Sequence, residues 1–159
     1  MSRLLTMVSC LGLGVMLSFT MATTQAKYGK GATEVISITR AEWAAEMSKN
    51  ASSAVKNFHK DCTMWVSDFP NRLDGKDMIY KFYDTRSSGA GSLVLAEMAN
   101  EKVQIFGDVA ILSYNFMGLA KDKEGEVKPI RAKSTRVFLN EGGKWLLVHA
   151  NFAPVDTPQ

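Results

Sequence analysis

The chain has 159 residues, of which 46% are hydrophobic and 22% charged, a composition typical of one ordinary globular domain. Its formal net charge of +3 comes from scattered basic residues rather than a basic stripe, so no nucleic-acid-binding surface is expected. Metal-ligand spacing of histidine or cysteine, a serine–histidine–aspartate arrangement and a glycine-rich phosphate loop are all absent from the sequence, and we expect neither a metal nor a cofactor.

Residues 1–26 have the layout of a secretory signal peptide. Arg3 supplies the positive start, an uncharged apolar stretch extends from Leu4 to Met21, and small residues occupy the cleavage positions up to Ala26. We expect cleavage after Ala26, with Ala22 as the second choice, and export to a periplasm or out of the cell. After cleavage no membrane association is expected.

Cleavage would remove Cys10 and leave Cys62 without an intrachain disulfide partner. Cys62 stands in an apolar run, so it is predicted to be a small core residue rather than a reactive thiol. The stability of the mature protein must then come from its hydrophobic core.

We divide the mature chain into a loose tail (27–33), a single domain (34–154) and a short C-terminal tail (155–159). Helical periodicity dominates the first half of the domain and strand-like runs dominate the second, which predicts an α+β fold with helices on one face of an antiparallel sheet. The first predicted helix begins at Ala32 or Glu34, or at a capping box at Thr39, and ends at Asn50. A second helix from Ser52 or Ser53 through Phe58, a strand Cys62–Val66 and a third helix Lys76–Tyr83 follow it. The remaining predicted elements are strands, namely Leu93–Met98 with Lys102–Phe106, Val109–Gly118, Ile130–Leu139 and Lys144–Phe152.

Two of these strands are apolar at successive positions, at Val109–Leu112 and at Leu146–Val148. A strand of this kind is covered on both faces. The helices can cover only one face of the sheet, so we expect a second subunit on the other and predict a homodimer or a larger homo-oligomer.

The last two predicted strands contain the candidate site. If Asn140–Gly143 is a four-residue loop, Leu139 pairs with Lys144 and Arg136 lies opposite Leu147. Side chains alternate between the faces of a strand, so one face is predicted to carry Arg136, Phe138, Trp145, Leu147, His149 and Asn151. Apolar walls with a few converging polar groups are typical of a ligand pocket.

Arg136 is suited to hold a carboxylate or carbonyl group of a ligand. His149 could donate a hydrogen bond or move a proton, and Asn151 could orient a polar ligand. The alternatives are an ion-paired Arg136 and a His149 that is satisfied within the core. The aromatic walls of the pocket are expected to be Trp65, Tyr114, Phe138 and Trp145.

Six short segments carry a family resemblance, namely Glu34–Thr39, Asp74–Asp77, Lys81–Tyr83, Gly107–Tyr114, Ser134–Phe138 and Gly143–His149. In this order they resemble the association domain of calcium/calmodulin-dependent protein kinase II, over about Glu34 to Pro154. The resemblance implies the nuclear-transport-factor-2-like (NTF2-like) fold, a cone of helices on a strongly curved antiparallel sheet that SnoaL-like cyclases and ketosteroid isomerase share.

The resemblance also carries the family's pocket arginine to Arg136 and its histidine to His149. It places Phe116 and Phe152 where the family has further arginines, and Asn151 where it has a second histidine, so the pocket is less cationic here. No kinase domain is present, and a kinase activity does not transfer.

Three hypotheses follow. The first is a small-molecule-binding protein whose anionic or carbonyl-bearing ligand is held by Arg136. The second is an isomerase, cyclase or dehydratase that uses His149 or Glu97 as its acid or base. The third is an oligomerisation module similar to the kinase association domain.

Overall fold

The computed structural model describes residues 29–66, 69–87 and 91–155, so the predicted signal peptide lies outside the described residues. The helices are α1 (Lys30–Met47), α2 (Ala51–Ala54) and α3 (Lys76–Ser87). The strands are β1 (Phe58–Trp65), β2 (Leu73–Asp74), β3 (Leu93–Phe106), β4 (Val109–Lys121), β5 (Val127–Glu141) and β6 (Lys144–Pro154). None of the helices in these ranges is long and apolar enough to cross a membrane.

The helices pack on a curved six-stranded sheet with the strand order β2-β1-β6-β5-β4-β3, which confirms the predicted α+β cone. The sheet is mixed rather than wholly antiparallel, because β1 runs parallel to β6. The predicted break in β3 is a bulge between Ala99 and Lys102, where Asn100 has a positive φ of 52°. A bulge lets a long strand bend without losing its partner, so the chain forms one curved strand there.

Helix α1 buries a stripe of residues at helical spacing, including Val35, Thr39, Glu42 and Trp43. It begins at Lys30, so part of the predicted loose tail is helical. The alternative start at Thr39 is wrong, because the Thr39 hydroxyl lies inside the helix and donates to the Val35 carbonyl at 3.0 Å. Its partner in the supposed capping box, Glu42, instead points into the core.

The short helix α2 is capped by Asn50 rather than by a serine. The Asn50 side chain accepts the backbone N–H of Ser53 at 3.0 Å and the hydroxyl of Ser52 at 2.9 Å. The chain leaves this helix sooner than predicted, and Phe58 is already the first residue of β1.

The predicted register of the last hairpin is wrong. The turn consists of Gly142 and Gly143 alone, both with positive φ (58° and 82°), and Glu141 pairs with Lys144. Further along the hairpin, Val148 is an extra residue in β6, so that Val137 lies opposite His149. A bulge of this kind moves all following side chains of the strand to the other face.

The core lies between the helices and the inner face of the sheet, and Cys62 is fully buried in it. Burial, together with the nearby Glu42 carboxylate, raises the pKa of the Cys62 thiol to about 12. The thiol is therefore protonated at neutral pH, as a structural core residue should be.

Candidate functional site

A buried ion pair joins the first helix to the sheet. Arg136 on β5 is 0% exposed and Glu42 on α1 is 3% exposed. Both terminal nitrogens of the guanidinium donate to the carboxylate, Nη1 to Oε2 and Nη2 to Oε1, the second at 3.0 Å. This two-pronged geometry is the strongest form of a carboxylate–guanidinium contact.

Two tyrosines complete the hydrogen bonding of the pair. The Tyr83 hydroxyl from α3 donates to Glu42 Oε1 at 2.8 Å, and Arg136 Nε donates to the Tyr114 hydroxyl on β4 at 2.9 Å. Burial lowers the pKa of Arg136, but the Glu42 carboxylate outweighs this effect and holds it well above its usual value. Burial and the same carboxylate raise the pKa of Tyr83. The network thus carries one positive and one negative charge and two neutral hydroxyls.

Aromatic rings lie between this network and a cavity in the interior of the protein. The Arg136 Cζ atom lies 5.9 Å from the centre of the Trp43 ring and 5.3 Å from that of Phe152. Trp43 packs edge-on against Phe116 at 5.3 Å, and Phe116 packs against Phe152 at 5.7 Å. The guanidinium therefore supports the rings that face the cavity.

A cavity of about 80 Å³ lies beyond these rings, between the two long helices and the sheet. It is lined by Trp43, Glu46, Met64, Val66, Phe82, Tyr83, Arg86, Leu93, Phe116, Ile130, Arg131, Ala132 and Phe152. A water molecule needs roughly 10–15 Å³, so the cavity has room for several water molecules or for one small organic molecule.

Two charged side chains enter the cavity from the helices. Glu46 follows Glu42 by one turn of α1, and Arg86 follows Phe82 by one turn of α3. Arg86 Nη2 donates to the Gly91 carbonyl at 2.9 Å, and its Cζ atom lies 5.2 Å from the centre of the Phe82 ring. Arg131 on β5 also belongs to the lining, but alternation along the strand predicts that its side chain points to the outer face, so we expect it to border the cavity mainly through its backbone.

None of the residues predicted as ligand contacts is among the described residues that line the cavity. Tyr114, Phe138 and Trp145 do lie on the inner side of the sheet with Arg136, and all of them are buried. Arg136 is ion-paired, which was the alternative left open by the sequence. Both terminal nitrogens of its guanidinium are engaged by the Glu42 carboxylate.

His149 and Asn151 lie on the outer face of the sheet, beside Trp65, as a consequence of the bulge at Val148. His149 Nδ1 is 2.8 Å from the Thr63 hydroxyl, and Trp65 is 42% exposed. Partial burial, with a smaller contribution from Arg72, lowers the pKa of His149. The predicted grouping of this histidine with Arg136 is therefore wrong.

Glu97 is exposed on β3 and borders a separate groove of about 370 Å³ with Arg40, Trp43, Met47, Ala96 and Met98. The two acid–base candidates, His149 and Glu97, therefore lie apart from each other and from the cavity. Within residues 29–66, 69–87 and 91–155, no three potential ligands converge to hold a metal ion.

Glu42, Glu46 and Arg86 were missed from the sequence, although one signal was present. Glu42 stands in the apolar stripe of α1 next to Trp43, and an acid at such a position requires a buried partner. Its partner is 94 residues away on β5, and no pattern in the sequence connects the two.

Comparisons with known proteins agree on the fold. The family model described as calcium/calmodulin dependent protein kinase II association domain matches residues 31–155. No curated protein matches the chain at a significant level.

Several solved structures are similar, all at low identity. The CamKII hub homology domain of Chlamydamonas reinhardtii is 22% identical, with a TM-score of 0.66, covering 80% of this chain and 100% of that one. A ketosteroid isomerase-like protein from Erwinia carotovora atroseptica is 16% identical, with a TM-score of 0.68 and coverages of 82% and 100%. An NTF2-like superfamily protein from Salmonella enterica is 13% identical, with a TM-score of 0.67 and coverages of 80% and 93%. At these identities the likeness concerns the fold alone.

Proposed function

Since the chain belongs to the calcium/calmodulin-dependent protein kinase II association domain family, we propose that it is an exported homo-oligomer that binds a small molecule in its aromatic cavity. The observation that carries this proposal is the cavity itself, with apolar and aromatic walls and two charged side chains from the helices. Such a combination is the usual composition of a small-molecule site. Export rests on the signal-peptide layout of residues 1–26.

The charges around the cavity favour a neutral, carbonyl-bearing ligand over an anionic one. Glu46 and Arg86 contribute opposite charges to the lining, and Glu42 compensates the charge of Arg136 behind the wall. An anion would therefore meet no net positive charge, whereas a carbonyl oxygen needs only a hydrogen-bond donor such as Arg86. In this proposal Arg136 supports the cavity wall and does not touch the ligand.

Native mass spectrometry of the exported, mature protein tests the binding proposal. We expect a chain that begins at Lys27 and carries a defined additional mass. Ala132 is buried against the cavity, and the Ala132→Phe variant should fill the space and lose that mass. Ala153→Phe places the same ring on an exposed position of β6 and serves as the matched control. A wild-type protein without any bound molecule would contradict the proposal.

We expect a second copy of the chain to cover the outer face of the sheet. Ile111, Val137, Leu139 and Leu146 form a half-buried apolar patch there, and Phe106 beside them is 61% exposed. The hub homology domain among the similar structures supports the proposal of an assembly.

Light scattering tests the assembly directly. We expect a dimer or larger species for the wild type and a smaller species for Val137→Glu, because a charge would be buried at the centre of the patch. Val127→Glu, the same change at the exposed end of β5, is the control and should leave the assembly intact. A monomeric wild type at micromolar concentration would refute the assembly.

A further inference from the structure

The carboxylate of Glu42 binds the Arg136 guanidinium in the position that the carboxylate of a ligand would take. It meets both terminal nitrogens of Arg136 and also accepts the Tyr83 hydroxyl at 2.8 Å. This ion pair lies one layer of side chains below the cavity, because Trp43 and Phe152 contact the guanidinium on one side and line the cavity on the other. Tyr83 likewise belongs to both the network and the cavity wall.

We propose that Glu42 determines the specificity of the cavity, acting as an internal carboxylate that fills the Arg136 site and excludes carboxylate ligands. This inference rests on the proposed function, since it concerns the same cavity, and it names the class of ligand that is rejected. A neutral molecule can then bind without disturbing the ion pair.

The exclusion follows from burial. A ligand carboxylate could reach Arg136 only by displacing Glu42, which would leave a 3% exposed carboxylate without its cation. An uncompensated buried charge is strongly unfavourable, so the internal pair prevails over an exchange. Removing Glu42 would allow a ligand carboxylate to bind Arg136. The guanidinium would keep two oriented donor nitrogens and would lose its only carboxylate partner among the described contacts.

The variant Glu42→Ala tests this directly, because the atoms that it removes correspond to acetate. We would measure thermal unfolding at neutral pH in sodium acetate and in sodium chloride of equal ionic strength. Acetate should fill the vacated position and raise the melting temperature of Glu42→Ala with a saturating dependence. At ten times its dissociation constant, acetate should lower the unfolding constant about 11-fold.

Two controls separate a specific carboxylate site from a salt effect. The wild type and the double variant Glu42→Ala/Arg136→Met should respond equally to acetate and chloride, because one has no vacancy and the other no cation. If Glu42→Ala does not fold in chloride, refolding yields in the two salts replace the melting curves, with the double variant as the folded reference. Equal behaviour of Glu42→Ala in acetate and chloride, or an equal acetate effect on the double variant, would overturn the inference.

A failure of this inference about Glu42 can be distinguished from a failure of the proposed ligand binding. If wild-type protein carries a small molecule and Glu42→Ala ignores acetate, the binding proposal stands and the role of Glu42 is refuted. If Glu42→Ala responds to acetate and the wild type carries nothing, the binding proposal falls while Glu42 remains the occupant of the Arg136 site.

Discussion

Replacing Arg136 by methionine is expected to destabilise the protein by about 3–5 kcal/mol, the usual effect of removing one partner of a buried ion pair. Methionine fills a similar volume, so the loss would not come from a cavity. It would come from Glu42, which would remain buried with the Tyr83 hydroxyl as its donor. The Tyr114 hydroxyl would also lose the Arg136 donor that now lies 2.9 Å away.

Equilibrium unfolding in urea, followed by circular dichroism, measures this effect. The double variant Glu42→Gln/Arg136→Met should recover much of the lost stability, because it removes both charges and keeps an acceptor for Tyr83. A single variant within about 0.5 kcal/mol of the wild type would show that the pair adds little to stability.

The ion pair between Glu42 and Arg136 could not be predicted from the sequence, although much of the fold could. Periodicity and turn residues were sufficient for the order of the helices and the longer strands and for the α+β class, because these depend on local patterns that this chain follows closely, whereas the two-residue strand β2 was not predicted. The partner of Arg136 depends on the packing of α1 against β5, which no local pattern encodes. The residue that decides the chemistry of Arg136 could therefore be found only in three dimensions.

The face of His149 illustrates a different limit. Alternation predicts faces correctly only while the register is uninterrupted, and one extra residue, Val148, reverses every side chain that follows it in β6. The Gly142–Gly143 pair was a recognisable two-residue turn, and a hairpin built on it would have given the observed pairing of Glu141 with Lys144. The bulge itself has no comparable signal, so His149 and Asn151 were placed on the wrong face.

The Phe138→Ala variant is the most informative test of how far the cavity extends along the sheet. The sequence placed Phe138 in the pocket wall, whereas the structure buries it completely, between Ala110 and Leu147 on the neighbouring strands and away from the cavity lining. Truncating a fully buried phenylalanine costs about 3–5 kcal/mol, because the surrounding core cannot close the space that is left. We therefore expect a large loss of stability with no change in the molecule that the cavity holds.

The contrast with Phe152→Ala makes this prediction specific. Phe152 is half-buried and lines the cavity, so its truncation should alter ligand retention in native mass spectrometry at a smaller loss of stability. The two variants remove the same ring from the two strands of one hairpin. The Phe152 ring lines the cavity, whereas the Phe138 ring is buried in the core and does not. If Phe138→Ala released the ligand while the folded fraction stayed high, the cavity would extend along the sheet to the predicted pocket, and the small aromatic site proposed here would be only its outer part.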